Sequence, residues 1–181
     1  MKFELTLTEE DYLIQSLYAA SKSELVRKRK RTTLIQLGLG FSLMALLSYL
    51  GNDLFFTWWD FLIMGLILVV GYPIYQPISD LRHHRKYIAE TYKNRFGKTS
   101  QVEFSGDQLL TNDYVGDSKL NLGQMEQVYE IGPYFFLKFK TSEVLILPKD
   151  SIPLEDFKVL LNQLIDKYQL PYTQELNWKF R

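Results

Sequence analysis

The hydrophobic rhythm of the chain changes from segment to segment. Residues 2–7 alternate, with Phe3, Leu5 and Leu7 on one side, as in a half-buried strand. From Thr8 the period lengthens, and Leu13, Ile14, Leu17, Tyr18 and Ala20 form a helical stripe. Thr8, followed by Glu9 and Glu10 and by Asp11 three residues on, is a helix start. The alternation of polar and apolar positions then stops. Residues 33–50, TLIQLGLGFSLMALLSYL, and residues 55–75, FFTWWDFLIMGLILVVGYPIY, are almost uniformly apolar. At about 1.5 Å per helical residue the first run reaches about 27 Å, near the thickness of a bilayer's hydrocarbon core. Two such runs separated only by Gly51-Asn52-Asp53-Leu54 hold more apolar surface than one small domain can bury. A transmembrane hairpin over 32–78 is therefore predicted.

After the second run, residues 80–96 regain a helical stripe through Leu81, Ile88 and Tyr92, with Gly97 as its stop. This predicts a separate basic juxtamembrane helix over 79–98. Pro73 and Pro77 mark where the second span kinks or frays.

Beyond Gly97 the chain alternates again. Residues 101–105 and 108–111 flank Gly106-Asp107, and the turn signals Asn112-Asp113 and Gly116-Asp117 separate an extended stretch around Tyr114 from residues 118–122. Residues 127–131 meet 134–140 across Gly132-Pro133, and 143–147 follow Thr141-Ser142. These give six short antiparallel strands. Leu154, Phe157, Leu161, Leu164 and Tyr168 then form one face of a closing helix, with Glu155 and Asp156 in its first turn. If residues 2–7 pair with the later strands, the count is seven strands plus a C-terminal helix. The predicted fold class is thus an α+β membrane protein: a two-helix hairpin with a small antiparallel sheet or barrel closed by a C-terminal helix. Its segments are 1–31, 32–78 with spans at 33–50 and 55–75, 79–98, 99–170, and a tail over 171–181.

Composition alone, 46% hydrophobic and 23% charged, resembles a soluble protein. The distribution of charge says otherwise. Residues 32–52 and 61–79 carry none, and only Asp53 and Asp60 lie between them. Bases gather at Arg27-Lys28-Arg29-Lys30-Arg31 before the first run and at Arg82, Arg85 and Lys86 after the second, with none in the connecting loop. By the positive-inside rule both termini are cytoplasmic, the turn near Gly51 is outside, and those eight bases are candidate contacts for anionic lipid headgroups. Tyr49, Trp58 and Trp59 suit the outer interface, and Tyr72 and Tyr75 the inner one. No cleaved leader is expected ahead of the first run.

The residue order also resembles the YcxB-like family of bacterial membrane proteins. The likeness covers nearly the whole chain: a strand and helix, two spans, a basic connector, then MEQVYEIGPYFFLKF and LILPKDSIPLEDFKVLLNQL in the family's order. The last stretch, with its Leu147-Pro148-Lys149 ahead of the closing helix, carries most of it. Gly123-Gln124-Met125 stands where such proteins often place a tryptophan before the central strand. The resemblance implies a pleckstrin-homology-like (PH-like) C-terminal domain and a bacterial cytoplasmic membrane location; the family's biochemical role is unassigned, and the likeness carries no catalytic residue across.

Few residues point to chemistry. The absence of cysteine excludes disulfides and thiolate metal sites. His83 and His84 project about 100° apart on a helix and do not converge on one ion, so they read as a solvated interfacial pair. Asp60 is the intramembrane polar candidate, although its place after the tryptophan pair suits a helix's first turn. Gly38, Ser42 and Ala45 on the first span and Gly65 on the second are positions for close helix approach. Tyr134-Phe135-Phe136 reads as a strand whose outer face is a candidate contact patch. Nucleic-acid binding is disfavoured, because the basic run abuts a span and residues 99–181 carry eight bases against twelve acids. The expectation is a non-enzymatic membrane-tethered interaction module with no cofactor, facing an unidentified protein partner. The alternative is an accessory subunit of a membrane enzyme or transporter that uses polar groups such as Asp60 and Gln36.

Overall fold

A computed structural model describes residues 1–51, 57–114 and 116–180. The predicted outer turn and the start of the second span therefore fall partly outside the described residues. The element order is β1 (Lys2–Thr6), α1 (Glu9–Lys22), α2 (Glu24–Leu50), α3 (Trp58–Thr91), β2 (Thr99–Ser105), β3 (Gln108–Asp113), β4 (Gly116–Asn121), β5 (Met125–Ile131), β6 (Tyr134–Phe139), β7 (Val144–Pro148), α4 (Leu154–Tyr168) and β8 (Tyr172–Gln174). Among the described residues the fold is α+β, with four α-helices, two of them long and apolar, and two four-stranded sheets. Two compact units divide the chain: Met1–Ser16 with Lys86–Lys179, and Leu17–Arg85 with Phe180–Arg181.

In the first unit, β1-β2-β3-β4 form one antiparallel sheet and β7-β6-β5-β8 the other. The alternating residues at the N-terminus do pair with the later strands: Phe3 lies opposite Val102 and Leu5 opposite Ser100. Gly106 and Gly132 adopt positive φ of 56° and 45°, which makes them suitable for the β2–β3 and β5–β6 turns. α4 presents Phe157, Leu161 and Leu164 to a core shared by both sheets. Phe157 joins them, its ring lying 6.3 Å from Phe3 and 6.0 Å from Phe104 on one sheet and 5.4 Å from Phe135 on the other.

Several expectations need correction. The two sheets remain separate and do not close into a barrel. Tyr114 lies in the turn between β3 and β4, not in a strand. There the Asp113 carboxylate accepts the Gly116 N–H at 3.0 Å, so side-chain bonding to the backbone wins over extension. Residues 171–181 contribute β8, which pairs parallel with β5. Tyr134-Phe135-Phe136 offers no exposed patch, since the three are 8%, 1% and 1% exposed. Phe135 faces the Phe157 side. Tyr134 and Phe136 stack on the opposite face, where the Tyr134 hydroxyl donates to Asp11 at 2.6 Å. The same Asp11 accepts the Thr8 N–H at 2.7 Å and so caps α1 as expected.

The second unit is built around α2 and α3. In each, only 6% of the most apolar 18-residue window is buried, whereas the core helix of a soluble protein is mostly covered. Contacts between them run in opposite order along the two helices. The rings of Tyr49 and Trp58 are 6.2 Å apart, a Cβ at Gly65 would lie 2.8 Å from the Phe41 Cβ, and the Lys30 Nζ is 2.8 Å from Asp80. The pair is therefore an antiparallel hairpin. Its packing face carries Phe41 and buried Ala45, while Ser42 points away and Gly38 has open space at its Cβ position. The connector is not a separate helix, because α3 continues through Pro73 and Pro77 to Thr91. The prolines stand four residues apart, so the missing donors gather on one side and the other keeps its hydrogen-bond ladder.

Candidate headgroup site at the basic end of the helix pair

The basic run lies in the first turns of α2 and is continuous with the apolar stretch. The chain breaks helix at Ser23, whose extended backbone and side-chain oxygen, 3.4 Å from the Val26 N–H, start α2 four residues before Arg27. Because the helices are antiparallel, Lys30 faces Asp80, and Arg82 and Arg85 belong to the same end of the pair as the run. The bases separated by some fifty residues in the chain are thus brought to one end. Lys86 continues the α3 series and forms a weak ion pair, 3.9 Å, with Glu90 one turn on.

A cavity of about 620 Å³ opens at this end. On α3, Tyr72, Tyr75, Gln76, Ser79, Asp80 and His84 line it at three- and four-residue spacing, a single polar stripe. On α2, Arg27, Arg29, Lys30 and Thr33 line the opposite side. Lys28 and Arg31, members of the same run, do not. The Lys30–Asp80 pair crosses the cavity wall with both side chains about one-third exposed, and it neutralises the one acid among the described residues of the lining. His83 and His84 have ring centres 6.2 Å apart and near-perpendicular planes, and no metal-binding cluster occurs among the described residues.

Asp60 stands elsewhere. Its carboxylate accepts the Thr57 N–H at 2.8 Å and the Thr57 hydroxyl at 2.7 Å, a capping box at the start of α3. The antiparallel register puts it level with the region of α2 just before Leu50, about ten residues or roughly 15 Å along the axis from Gln36. Asp60 and Gln36 therefore share no site.

A second cavity, about 560 Å³, lies in the first unit between the sheets, over Leu5, Val102 and Leu109 with the hydroxyls of Thr111 and Ser118. Its polar rim carries Arg95 with the carboxylates of Asp113, Asp117 and Glu143, and its basic lining is limited to Arg95 among the described residues.

A buried, multiply bonded charge lies at β5. Glu130 accepts from Lys149 Nζ at 2.6 Å, from Gln174 at 2.9 Å and from the Tyr172 hydroxyl. Burial raises its carboxyl pKa, but the Lys149 ammonium and the two neutral donors outweigh that and hold it below the usual glutamate range. This network ties β8 to β5. The signal for it was present in the sequence, since Glu130 shares a strand face with buried Val128.

No known protein family, curated protein or solved structure matches the chain.

Proposed function

We propose that the chain is a non-enzymatic bacterial membrane-anchored interaction module. In this reading α2 and α3 form a multi-pass anchor with both termini in the cytoplasm, and the first unit is a PH-like domain that meets a protein partner there. The observation that carries the reading is the pairing of two long apolar helices, almost wholly unburied, with bases confined to the end away from their connection. The aromatic trio Tyr49, Trp58 and Trp59 gathers at the other end, Trp58 and Trp59 stacking at 3.9 Å, as an interfacial belt would. The PH-like assignment draws support from element order: an N-terminal four-stranded sheet, three further antiparallel strands, then a helix packed on both. Use of Asp60 as a cap removes the main support for a subunit working through intramembrane polar groups.

Fractionation of expressing cells tests the anchor. The full chain should stay with membranes through alkaline carbonate and leave them only with detergent. Release by carbonate would reject it. Asp60→Asn should leave membrane retention and any partner co-purified from crosslinked native membranes unchanged; loss of the partner with normal expression would favour the accessory-subunit reading.

A further inference from the structure

We propose that the cavity at the basic end of the α2–α3 pair is a discrete site for the phosphate of one anionic phospholipid headgroup. The inference rests on the membrane reading above and narrows it, from a run of bases attracted to a charged surface to a built site holding a single lipid.

Position is the first argument. The lining begins at Thr33 on α2 and at Tyr72 and Tyr75 on α3, where the apolar stretches end, so the cavity sits at headgroup depth in a spanning hairpin. Basic pockets between helices on the cytoplasmic side are suited to lipid phosphates.

Charge is the second. Asp80 is matched by Lys30, so the lining keeps the excess positive charge of Arg27 and Arg29. No ion pair to either guanidinium is present among the described residues. A phosphate offers only acceptors, and a guanidinium fork engages two of its oxygens at once. The amide of Gln76 and the hydroxyl of Ser79, on the facing helix, supply neutral donors to the same space.

Selection within the run is the third. Successive helical residues turn by about 100°, so five consecutive bases cannot all face one cavity. Arg27, Arg29 and Lys30 line it and Lys28 and Arg31 do not. A diffuse electrostatic contact would make these sets equivalent, whereas a built site separates them.

The test uses the full-length protein in neutral detergent, with bound phosphatidylglycerol counted by native mass spectrometry and phosphatidylcholine and inorganic phosphate as comparison probes. One tightly held phosphatidylglycerol is expected. At about fivefold in affinity per base, Arg27→Ala/Arg29→Ala should weaken it about 25-fold. Lys28→Ala/Arg31→Ala should cost less than about twofold, although it removes the same charge from the same run. Gln76→Leu, which changes no charge, should also weaken binding, and it serves as the test should the arginine variant misfold. Equal losses in the two double variants would overturn the site in favour of diffuse attraction. Equal affinity for phosphatidylcholine would overturn recognition of an anionic lipid. Displacement by inorganic phosphate at comparable concentration would overturn the lipid in favour of a soluble phosphate compound. Flotation of the same proteins with phosphatidylglycerol–phosphatidylcholine vesicles separates the two levels. A wild-type chain that fails to float overturns the membrane reading, whereas one that floats without site-selective loss overturns the site alone.

Discussion

At the scale of single residues, Glu130 and Lys149 form the most consequential pair. Both side chains are largely buried, at 8% and 16% exposed, so removing one leaves an uncompensated charge inside the first unit. Lys149→Met should lower unfolding stability by about 3 kcal/mol, at the low end for a buried pair because Lys149 keeps some contact with water. The pH dependence has a definite sign. The folded Glu130 pKa lies below its unfolded value, so its stabilisation is complete above about pH 4.3 and disappears as the pH falls through the lower, folded value. Urea midpoints measured from pH 7 to 3 should fall less in Glu130→Gln than in the wild type; parallel curves would show that the carboxylate contributes nothing to the acid response. This pair was only half legible in sequence. Glu130 passed unremarked in the 127–131 strand, where its shared face with Val128 was the one local signal, and its partner is 19 residues away across two strands, which no spacing rule identifies. Asp60 was more readable, because a cap and its helix are local.

At the scale of elements, the helices show where local reading stops. The two apolar stretches were plain, since their length and lack of charge need no tertiary context. Their packing face was not. Small residues at Gly38, Ser42 and Ala45 suggested one face of the first span, yet of these only Ala45 is buried, and the close approach to Gly65 is made by Phe41. Which face a uniformly apolar helix turns inward depends on its partner. Likewise, Pro73 and Pro77 suggested a kink or fraying of the second span, but the helix continues through both because their lost donors share one side. Gly65→Leu should be costly. Its Cβ would meet the Phe41 Cβ, a backbone-anchored atom that cannot swing aside, at 2.8 Å. An overpacking loss of about 1–3 kcal/mol is expected, read as a lower midpoint for unfolding of the helix pair in detergent. An unchanged midpoint would mean that the helices do not meet at Gly65.

At the scale of the whole molecule, the chain completes its first unit from segments at both ends. β1 pairs with β2 nearly a hundred residues later, and Phe3 and Leu5 enter the core beside Phe157. Alternation made β1 recognisable as a strand, although its partner could only be conjectured. β8 gave no comparable signal, since three residues are too few for a period and a parallel partner is never a sequence neighbour. Deleting residues 1–7 removes two buried core side chains and an edge strand. The loss exceeds about 5 kcal/mol, comparable to the whole stability of a small domain. The shortened protein should therefore show a protease-sensitive first unit, and full protease resistance would contradict the role assigned to β1.

The hairpin orientation is tested most directly by single-cysteine labelling, which the cysteine-free chain allows without background. Asn52→Cys and Lys119→Cys would be treated on intact cells with a membrane-impermeant maleimide, then again after lysis. Asn52→Cys should react in intact cells and Lys119→Cys only after lysis, placing the connection outside and the β-rich unit in the cytoplasm. Labelling of Lys119→Cys in intact cells, or protection of both positions until lysis, would contradict the membrane-anchored topology.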